Sequence, residues 1–455
     1  MFLYFTKYDI IEYLVGLKER RINMLLDNLI NSDFSNVLVT INFVLSVIVP
    51  IVYLSQNIFS VISLFAKSRK YKTSEKLKKF AYLICAHDEE KVIGSLIESI
   101  KSQDYPKELI EIFVVCDNCT DNTKTISESH GARVIERYDD KYKGKCYALD
   151  YAFKLINKNY DDLSIDAFII MDADNLVSTN YTSKMNDCYN SGYKVATSYR
   201  NGKNFDSNWI SACSSLTFLR ECEVVHKGRS VLNIGTYVSG TGFYVSKDLI
   251  QELNGWPFTS LIEDIEFSIW CSNNNIKIGY QYDAVFYDEQ PTRFKDSFNQ
   301  RLRWCRGTHQ CFARHFKNFF KGIFKNKSPE ALEMLIHVNP LPAIMFIWMV
   351  IYTILLGINA IIYDLSFTEF LNSGIIESFY YILGVYGVGL FHGFVAIVRG
   401  CKRIHCNKFK LFIYWLLFPL FMFIFLIISV ISLFVRAKWK KVEHTDETKI
   451  CDLES

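Results

Sequence analysis

Four long stretches of this chain are almost free of charge, and between the first and second the pattern changes to short apolar runs that close on acidic residues. The uncharged stretches are 37–66, 336–363, 380–398 and 411–435. Each is close to or above the roughly 20 apolar residues that cross a bilayer as a helix. Four such runs argue for a membrane protein over a soluble one with buried helices. Pro50, in the middle of the first, predicts a kink within one helix, because two helices would need more length. The pattern divides the chain into an N-terminal juxtamembrane segment (1–36), a transmembrane helix (37–66), a globular domain (78–295), interfacial amphipathic helices (296–330), a C-terminal transmembrane region (336–435) and a polar tail (436–455).

The globular segment opens with Phe80–Ala86, which closes on His87, Asp88, Glu89 and Glu90. Ile112–Cys116 ends on Asp117, and Ala167–Met171 ends on Asp172. Helix-like stretches, Lys91–Ser102 and Thr120–His130, separate the first runs. Continuous apolar strands alternating with helices predict an α/β domain with a mostly parallel sheet covered on both faces. Ligands of such sheets sit at the carboxyl ends of the strands. All three runs place carboxylates at that edge, so these are expected to share one site.

From Phe294 to Lys327 aromatic residues alternate with Arg and Lys, the pattern of a basic amphipathic helix on an anionic membrane surface. The adjoining bilayer-length stretches favour this over nucleic-acid binding. The net charge of +3 matters less than its placement. Lys67, Arg69, Lys70, Lys72, Lys76, Lys78 and Lys79 follow the first apolar stretch, and Lys402, Arg403, Lys408 and Lys410 separate the last two. Such clusters mark the cytosolic side of short loops. The connection from Asp364 to Glu377 carries no Lys or Arg, as expected outside. Most of the 13 cysteines then fall in the cytosol, where thiols stay reduced. Cys116 and Cys119 have zinc-site spacing but lack a second pair. The N-terminal segment, with Asp9, Glu12 and charges at Lys18–Arg21, does not read as a cleavable signal peptide.

Five further features carry chemistry. Asp117, with Asn118 and Asp121, offers acceptors for a base or ribose, while Thr120 or Asp121 can also cap the following helix. Gly144-Lys145 puts a cation at a helix start, a place suited to phosphate or simply to a surface lysine. Asp172 and Asp174, two apart at a strand end, can point to one side and address one metal and diphosphate. Oxygen ligands with phosphates completing the shell suit Mg²⁺ or Mn²⁺. Glu263-Asp264 precedes a helix-like stretch, where Asp264 can act as a base or complement the helix dipole. Gln300-Arg301-Leu302-Arg303-Trp304 offers a guanidinium for phosphate and an indole for a sugar ring, or an interfacial Trp with snorkelling arginines.

Taken in order, Ala86–Glu90, Asp117–Asp121, Asp172-Ala173-Asp174, Gly240-Thr241-Gly242, Ile262-Glu263-Asp264 and Gln300–Trp304 resemble the successive motifs of membrane-embedded family-2 glycosyltransferases. That family includes cellulose synthase, poly-β-1,6-N-acetylglucosamine synthase and hyaluronan synthase. The resemblance covers roughly residues 78 to 310 and implies a GT-A fold, a UDP-sugar donor, a divalent metal (Mg²⁺ or Mn²⁺) and inversion at the anomeric carbon. Carried over by position, it implies that Glu89, Asp117 and Lys145 contact the nucleotide, Asp172 the donor and Asp174 the metal. Asp264 would be the base, Arg303 would bind diphosphate, and Gln300 and Trp304 would hold the acceptor. Trp439 and His444 resemble a tryptophan-rich C-terminal element of some relatives. Ile262 stands where Thr is common in the family. The four apolar stretches are fewer than in cellulose synthase, which leaves room for an accessory membrane subunit. The activity this implies is polymerisation of a β-linked exopolysaccharide from a UDP-sugar, glucose or N-acetylglucosamine, coupled to export; the alternative is transfer of one sugar to a lipid acceptor. A membrane scaffold with a degenerate enzyme domain is disfavoured, since every acidic position is present.

The charge rule meets a conflict at the C-terminus. Arg436, Lys438, Lys440 and Lys441 follow the last apolar stretch and ask to lie on the same side as the 400–410 loop before it. A break at Pro419 would let the segment re-enter. The expectation is therefore a cytosolic C-terminus and a last stretch that does not simply cross.

Overall fold

The computed structural model describes residues 32–362 and 376–435, together with 364, 366, 368, 437, 444–446 and 448–454. The charged start of the chain, the basic residues Arg436, Lys438, Lys440 and Lys441, and Trp439 lie outside the described residues. The fold separates into two units. The smaller combines residues up to Leu54 with Ile344–Leu383, and in it Trp348 Nε1 approaches Asn42 Oδ1 at 3.4 Å. The larger holds Ser55–Ala343 and Gly384 onward.

At the centre of the larger unit is an eight-stranded sheet. Its strands are β1 (Phe80–Ala86), β2 (Ile110–Asp117), β3 (Arg133–Arg137), β4 (Ala167–Asp172), β5 (Leu176–Val177), β6 (Val195–Gly202), β7 (Phe243–Ser246) and β8 (Ile278–Asp288). They lie in the order β3-β2-β1-β4-β7-β6-β8-β5. The first four are parallel, with Phe80 opposite Ile110 on one side and Ala167 on the other. β7 runs antiparallel between β4 and β6, β6 and β8 are parallel, and β5 closes the edge antiparallel to β8. The sheet is mostly parallel and mixed.

Side-chain alternation explains why both faces are covered. Phe80, Tyr82 and Ile84 pack with Ile93, Leu96 and Ile97 of the helix Ile93–Lys101. Ala81 and Leu83 turn to the other face, against Ala148, Leu149, Ala152 and Phe153 of the helix Lys145–Asn159. Each residue of β1 is thus spent on one core or the other, which is why the run is uninterrupted in sequence.

Among the described residues, four helices are long and apolar enough to cross a membrane: Thr40–Phe65, Pro329–Ile362, Ile382–Arg403 and Lys408–Phe434. Just past Pro50 the helix Ser32–Val52 gives way to Leu54–Phe65, with Tyr53 N–H still reaching Val49 O at 3.1 Å. Pro419 behaves differently from expectation. The helix Lys408–Phe434 runs through it without a break, so no re-entrant hairpin forms there. The ring of Pro419 sits against Gly389, where a Cβ would come within 3.0 Å. The Tyr386 hydroxyl donates to Leu416 O in the turn before Pro419 at 2.7 Å, a polar tie between the two helices beside the proline.

Gly242 directly precedes β7 at φ +67°, and a Cβ there would fall 2.1 Å from the Phe286 ring. Left-handed backbone and overpacking add, so Gly242→Ala should cost about 2–4 kcal/mol. Thermal unfolding of the purified protein in detergent checks this, and an unchanged midpoint would contradict it.

Candidate active site at the carboxyl edge of the sheet

The carboxyl ends of β1, β2, β4 and β8 bring the acidic residues to one edge. β2 ends on Asp117, buried at 8% exposure, and its Oδ1 accepts from Arg137 Nη1 at 2.6 Å, at the end of the neighbouring β3. Asn118, at φ +54°, turns the chain away, and its amide also reaches Asp117 Oδ1. The loop after β1 packs against this turn. His87 Nδ1 meets Asp117 O at 2.6 Å, Asp88 accepts from Thr120 N at 2.6 Å, and Glu89 N–H donates to Thr123 Oγ1 at 2.8 Å. Asp88, Cys119 and Asp121 come close enough to hold a cation. Their carboxylates, however, already fix the loop, with Asp121 accepting from Glu90 N–H and from Thr123. Asp121 thus accepts from the first N–H of the helix Thr123–Ser129, whereas Thr120 donates to Asp88 and does not cap that helix, while Asp117 faces the edge.

Asp172 and Asp174 take separate positions. β4 stops at Asp172, whose N–H goes to Thr241 Oγ1 at 2.9 Å, and the chain turns so that Asn175 N reaches Asp172 O. Asp174 thus lies in the turn, and strand alternation is not what brings the two carboxylates together, contrary to the sequence reading. Asp172 is ion-paired with Lys145, the first residue of its helix, which also donates to Gly240 O at 2.7 Å. Asp174 is buried and accepts from Glu289 N–H at 3.0 Å, just past the end of β8.

Beside it stands a group that the sequence did not single out. Asp288 ends β8 and accepts from Arg200 Nε at 2.8 Å and Gln290 Nε2 at 2.7 Å, both at Oδ2. Its Oδ1 is buried and has no hydrogen-bond partner among the described residues. Burial pushes the Asp288 carboxyl up, and the charge of Asp174 adds to this against the pull of Arg200. Asp174 itself would be raised by burial, but His444, Lys203 and Arg200 hold it below the ordinary carboxylate range. His444 belongs to the C-terminal segment, which returns to this edge. Its Nδ1 lies 3.1 Å from Glu89 Oε2. Thr445 and Asp446 N–H groups donate to the Glu289 carboxylate, and Lys203 Nζ donates to Asp446 O at 2.9 Å. Burial opposes a charge on His444, yet Asp174, Glu89 and Glu289 outweigh it and hold the imidazole up at about 9.

Glu263 and Asp264 open the helix Glu263–Asn273. Asp264 lies at the glycine turn between Lys145 and β7, where a Cβ on Gly240 would come 3.7 Å from its Oδ2. Burial pushes the Asp264 carboxyl up, against the Ile265 N–H and the charges of Lys145 and Arg303. Glu263 is raised by burial and by Asp264. Arg303 reaches this turn from the helix Phe294–Phe320 and donates to Leu261 O at 2.8 Å. Trp304 is half-buried beside Ile262, with its ring edge-on to Phe218 at 5.9 Å between centroids. Gln300 is half-buried on the same helix. Arg301 points elsewhere: it is buried, with its guanidinium 3.4 Å over the Phe421 ring. The structure thus joins Asp172, Lys145, Asp264 and Arg303 around Gly240, and Asp174 with Glu89 around His444. Asp117 holds a third position with Arg137. Arg137, Arg200, Asp288 and Glu289 were missed. Asp288 carried the same signal as Asp117, an acidic residue closing an apolar strand.

Residues 78–307 match the family described as "Glycosyltransferase like family 2". Among curated proteins, a probable glycosyltransferase, YdaM, of Bacillus subtilis (strain 168) is 25% identical over 406 residues, covering 82% of this chain and 89% of that one. A poly-beta-1,6-N-acetyl-D-glucosamine synthase of Staphylococcus epidermidis is 19% identical over 252 residues, covering 54% of this chain and 58% of that one. Among solved structures, the mannosyltransferase PcManGT of Pyrobaculum calidifontis, in complex with GDP-Man and Mn²⁺, superposes with a TM-score of 0.51 at 14% identity, over 87% of this chain and 99% of that one. At that identity the likeness speaks for the fold, and it agrees with a GT-A domain flanked by helices long enough to span a membrane. A sheet with its acidic edge in this order, and a family match over half the chain, lead to one conclusion: this chain is a glycosyltransferase of family 2.

Proposed function

We propose that the enzyme transfers a hexose from a UDP-sugar to a growing β-linked exopolysaccharide, with inversion, on the cytosolic face of the membrane. The observation that carries this reading is the cluster around Gly240, where Asp264 stands beside the Lys145–Asp172 pair and Arg303. Asp117, with Glu89 beyond it, would take the nucleoside. Lys145 and Arg303 would take the diphosphate, Asp172 the donor sugar. Asp264 would accept the proton of the acceptor hydroxyl as that oxygen bonds to the anomeric carbon and the bond to diphosphate breaks, releasing UDP. Gln300 and Trp304 would hold the acceptor, the indole face stacking on a sugar ring.

The edge fits a divalent cation. Asp174 has a lowered affinity for protons, and the unpartnered Oδ1 of Asp288 supplies a second hard oxygen nearby. Mg²⁺ or Mn²⁺ bound there would neutralise the leaving diphosphate. A processive polymer is favoured by the placement of Trp304 on a long helix beside the base, which suits a held acceptor chain. Proteoliposomes offered a panel of UDP-sugars test the proposal. Consumption of UDP-glucose or UDP-N-acetylglucosamine with products of many residues supports it. Products with one added sugar on lipid would replace the polymer with the single-transfer reading.

Asp264→Asn keeps the shape but cannot take a proton, so transfer should fall about 10²–10⁴-fold with UDP binding nearly intact. Near-normal turnover would remove Asp264 from the base role.

The pH profile carries an independent sign. A base must be ionised, and Asp264 is raised, so kcat/KM should fall on acidification at a pH above that at which an ordinary carboxylate titrates. An acid limb at the ordinary position contradicts the assignment.

Asp174→Ala should abolish the dependence of UDP binding on Mg²⁺ or Mn²⁺, read by titrating UDP with and without metal. An unchanged metal response would place the ion elsewhere.

A further inference from the structure

The last apolar helix, Lys408–Phe434, is long enough to cross a bilayer, yet both of its ends are fastened to the catalytic unit. At its start, Lys410 pairs with Asp206 at 3.0 Å, and Arg403 just before it lies 3.9 Å over the Tyr199 ring of β6. At its end, Arg306 Nη1 donates to Ser432 O and Leu433 O at 3.1 and 3.2 Å. Between these points Cys213 Sγ approaches Tyr414 O, Arg301 covers Phe421, and His309 Nε2 lies 3.2 Å from Ser429 O. The helix Phe294–Phe320, which holds Arg306, is itself tied to the catalytic domain by Arg314 and His315 on Glu266 and by Arg303 on Leu261. At 1.5 Å per residue, Lys410 and Ser432 are about 33 Å apart along the axis, more than the roughly 30 Å hydrocarbon thickness. A crossing helix cannot have both points against a domain that stays on one side.

The two faces of the helix agree. Tyr414, Phe418, Phe421, Ile428 and Ser432 are buried against the protein. Phe409, Phe412, Leu420, Ile427 and Phe434 are exposed and lie along the other face. Alongside, Gly389 and Gly393 of the apolar helix Ile376–Gly400 admit Pro419 and Phe418 at close range.

We propose that Lys408–Phe434 is a monotopic helix lying in the plane of the membrane, its Phe409–Phe434 face dissolved in the lipid leaflet next to the catalytic domain. An in-plane helix has an apolar face sunk about 5–10 Å into the headgroup–acyl boundary and cationic flanks for anionic lipid. Lys402 and Lys408 before it, and Arg436, Lys438, Lys440 and Lys441 after it, supply those charges. An in-plane helix removes the conflict in the charge rule without a break at Pro419. The arrangement also leaves the helix bearing Arg303 and Trp304 one helix thickness from lipid. This inference stands whatever the donor or the product.

Two measurements on the full-length protein in proteoliposomes test it. In a background with Cys85, Cys119, Cys401, Cys406 and Cys451 replaced by Ser, single cysteines at His405, Ala437 and the exposed catalytic-domain residue Lys91 are probed with an impermeant maleimide. All three should react from the same side. Nitroxides placed singly at Phe412, Leu420 and Ile427 should report equal, shallow depths by oxygen and nickel accessibility. Reaction of Ala437→Cys from the side opposite to Lys91→Cys overturns the proposal. So does a depth that changes steadily across the three positions, which a crossing helix would show over about 22 Å.

Discussion

Carboxylates gathered at the edge of a buried sheet repel one another and resent leaving water, so each must be answered by a cation or an N–H. Here three strand ends are answered in the same way. Asp117 closes β2 against Arg137 at the end of β3, Asp172 closes β4 against Lys145, and Asp288 closes β8 against Arg200. A buried charge that loses its partner costs about 3–5 kcal/mol, so the buried Asp117–Arg137 and Asp288–Arg200 pairs fix the edge before any ligand arrives, while the Asp172 carboxylate stays partly open beside Lys145. Their cations come from other elements: a neighbouring strand, a helix start and β6. The edge therefore exists only when the whole mixed sheet has formed.

The same logic ties the helices outside the sheet to the site. Arg303 and Arg301 sit two residues apart on one helix and so face different partners. Arg303 turns to the Leu261 carbonyl beside Asp264, and Arg301 to Phe421 of the last apolar helix. One motif thus joins the surroundings of Asp264 to the hydrophobic part of the protein. The C-terminal segment adds a second tie, with His444 between Glu89 and Asp174 and Leu453 buried in the core beside β8.

What could be read from the sequence was whatever the chain spends locally. β1, β2 and β4 are buried on both faces, so they appear as unbroken apolar runs ending on acids. β6 is as buried, but its Thr197, Ser198, Arg200 and Asn201 look polar in sequence. Their partners are distant: Ser198 donates to Gly242 O at 2.6 Å, and Arg200 meets Asp288. Asp174 was legible as an acid near a strand end, but not its place in a turn facing Glu289, because Thr241 and Asn175 decide where β4 stops. Pro419 was read as a break because proline weakens a helix in isolation, whereas Gly389 and Tyr386 accommodate it from the neighbouring helix. The tail from His444 to Glu454 has no pattern of its own, and only its bonds to the domain give it a position.

The account rests on one claim, that the donor diphosphate and its metal meet the protein at the Asp172–Asp174 edge. A structure of the enzyme with UDP and Mn²⁺, with the metal located by its anomalous scattering, tests it most directly. The account predicts the ion between the Asp174 carboxylate and the diphosphate, with uracil near Asp117 and the phosphates toward Lys145 and Arg303. An ion held instead by Asp88, Cys119 and Asp121, or a diphosphate remote from Asp174, would contradict it.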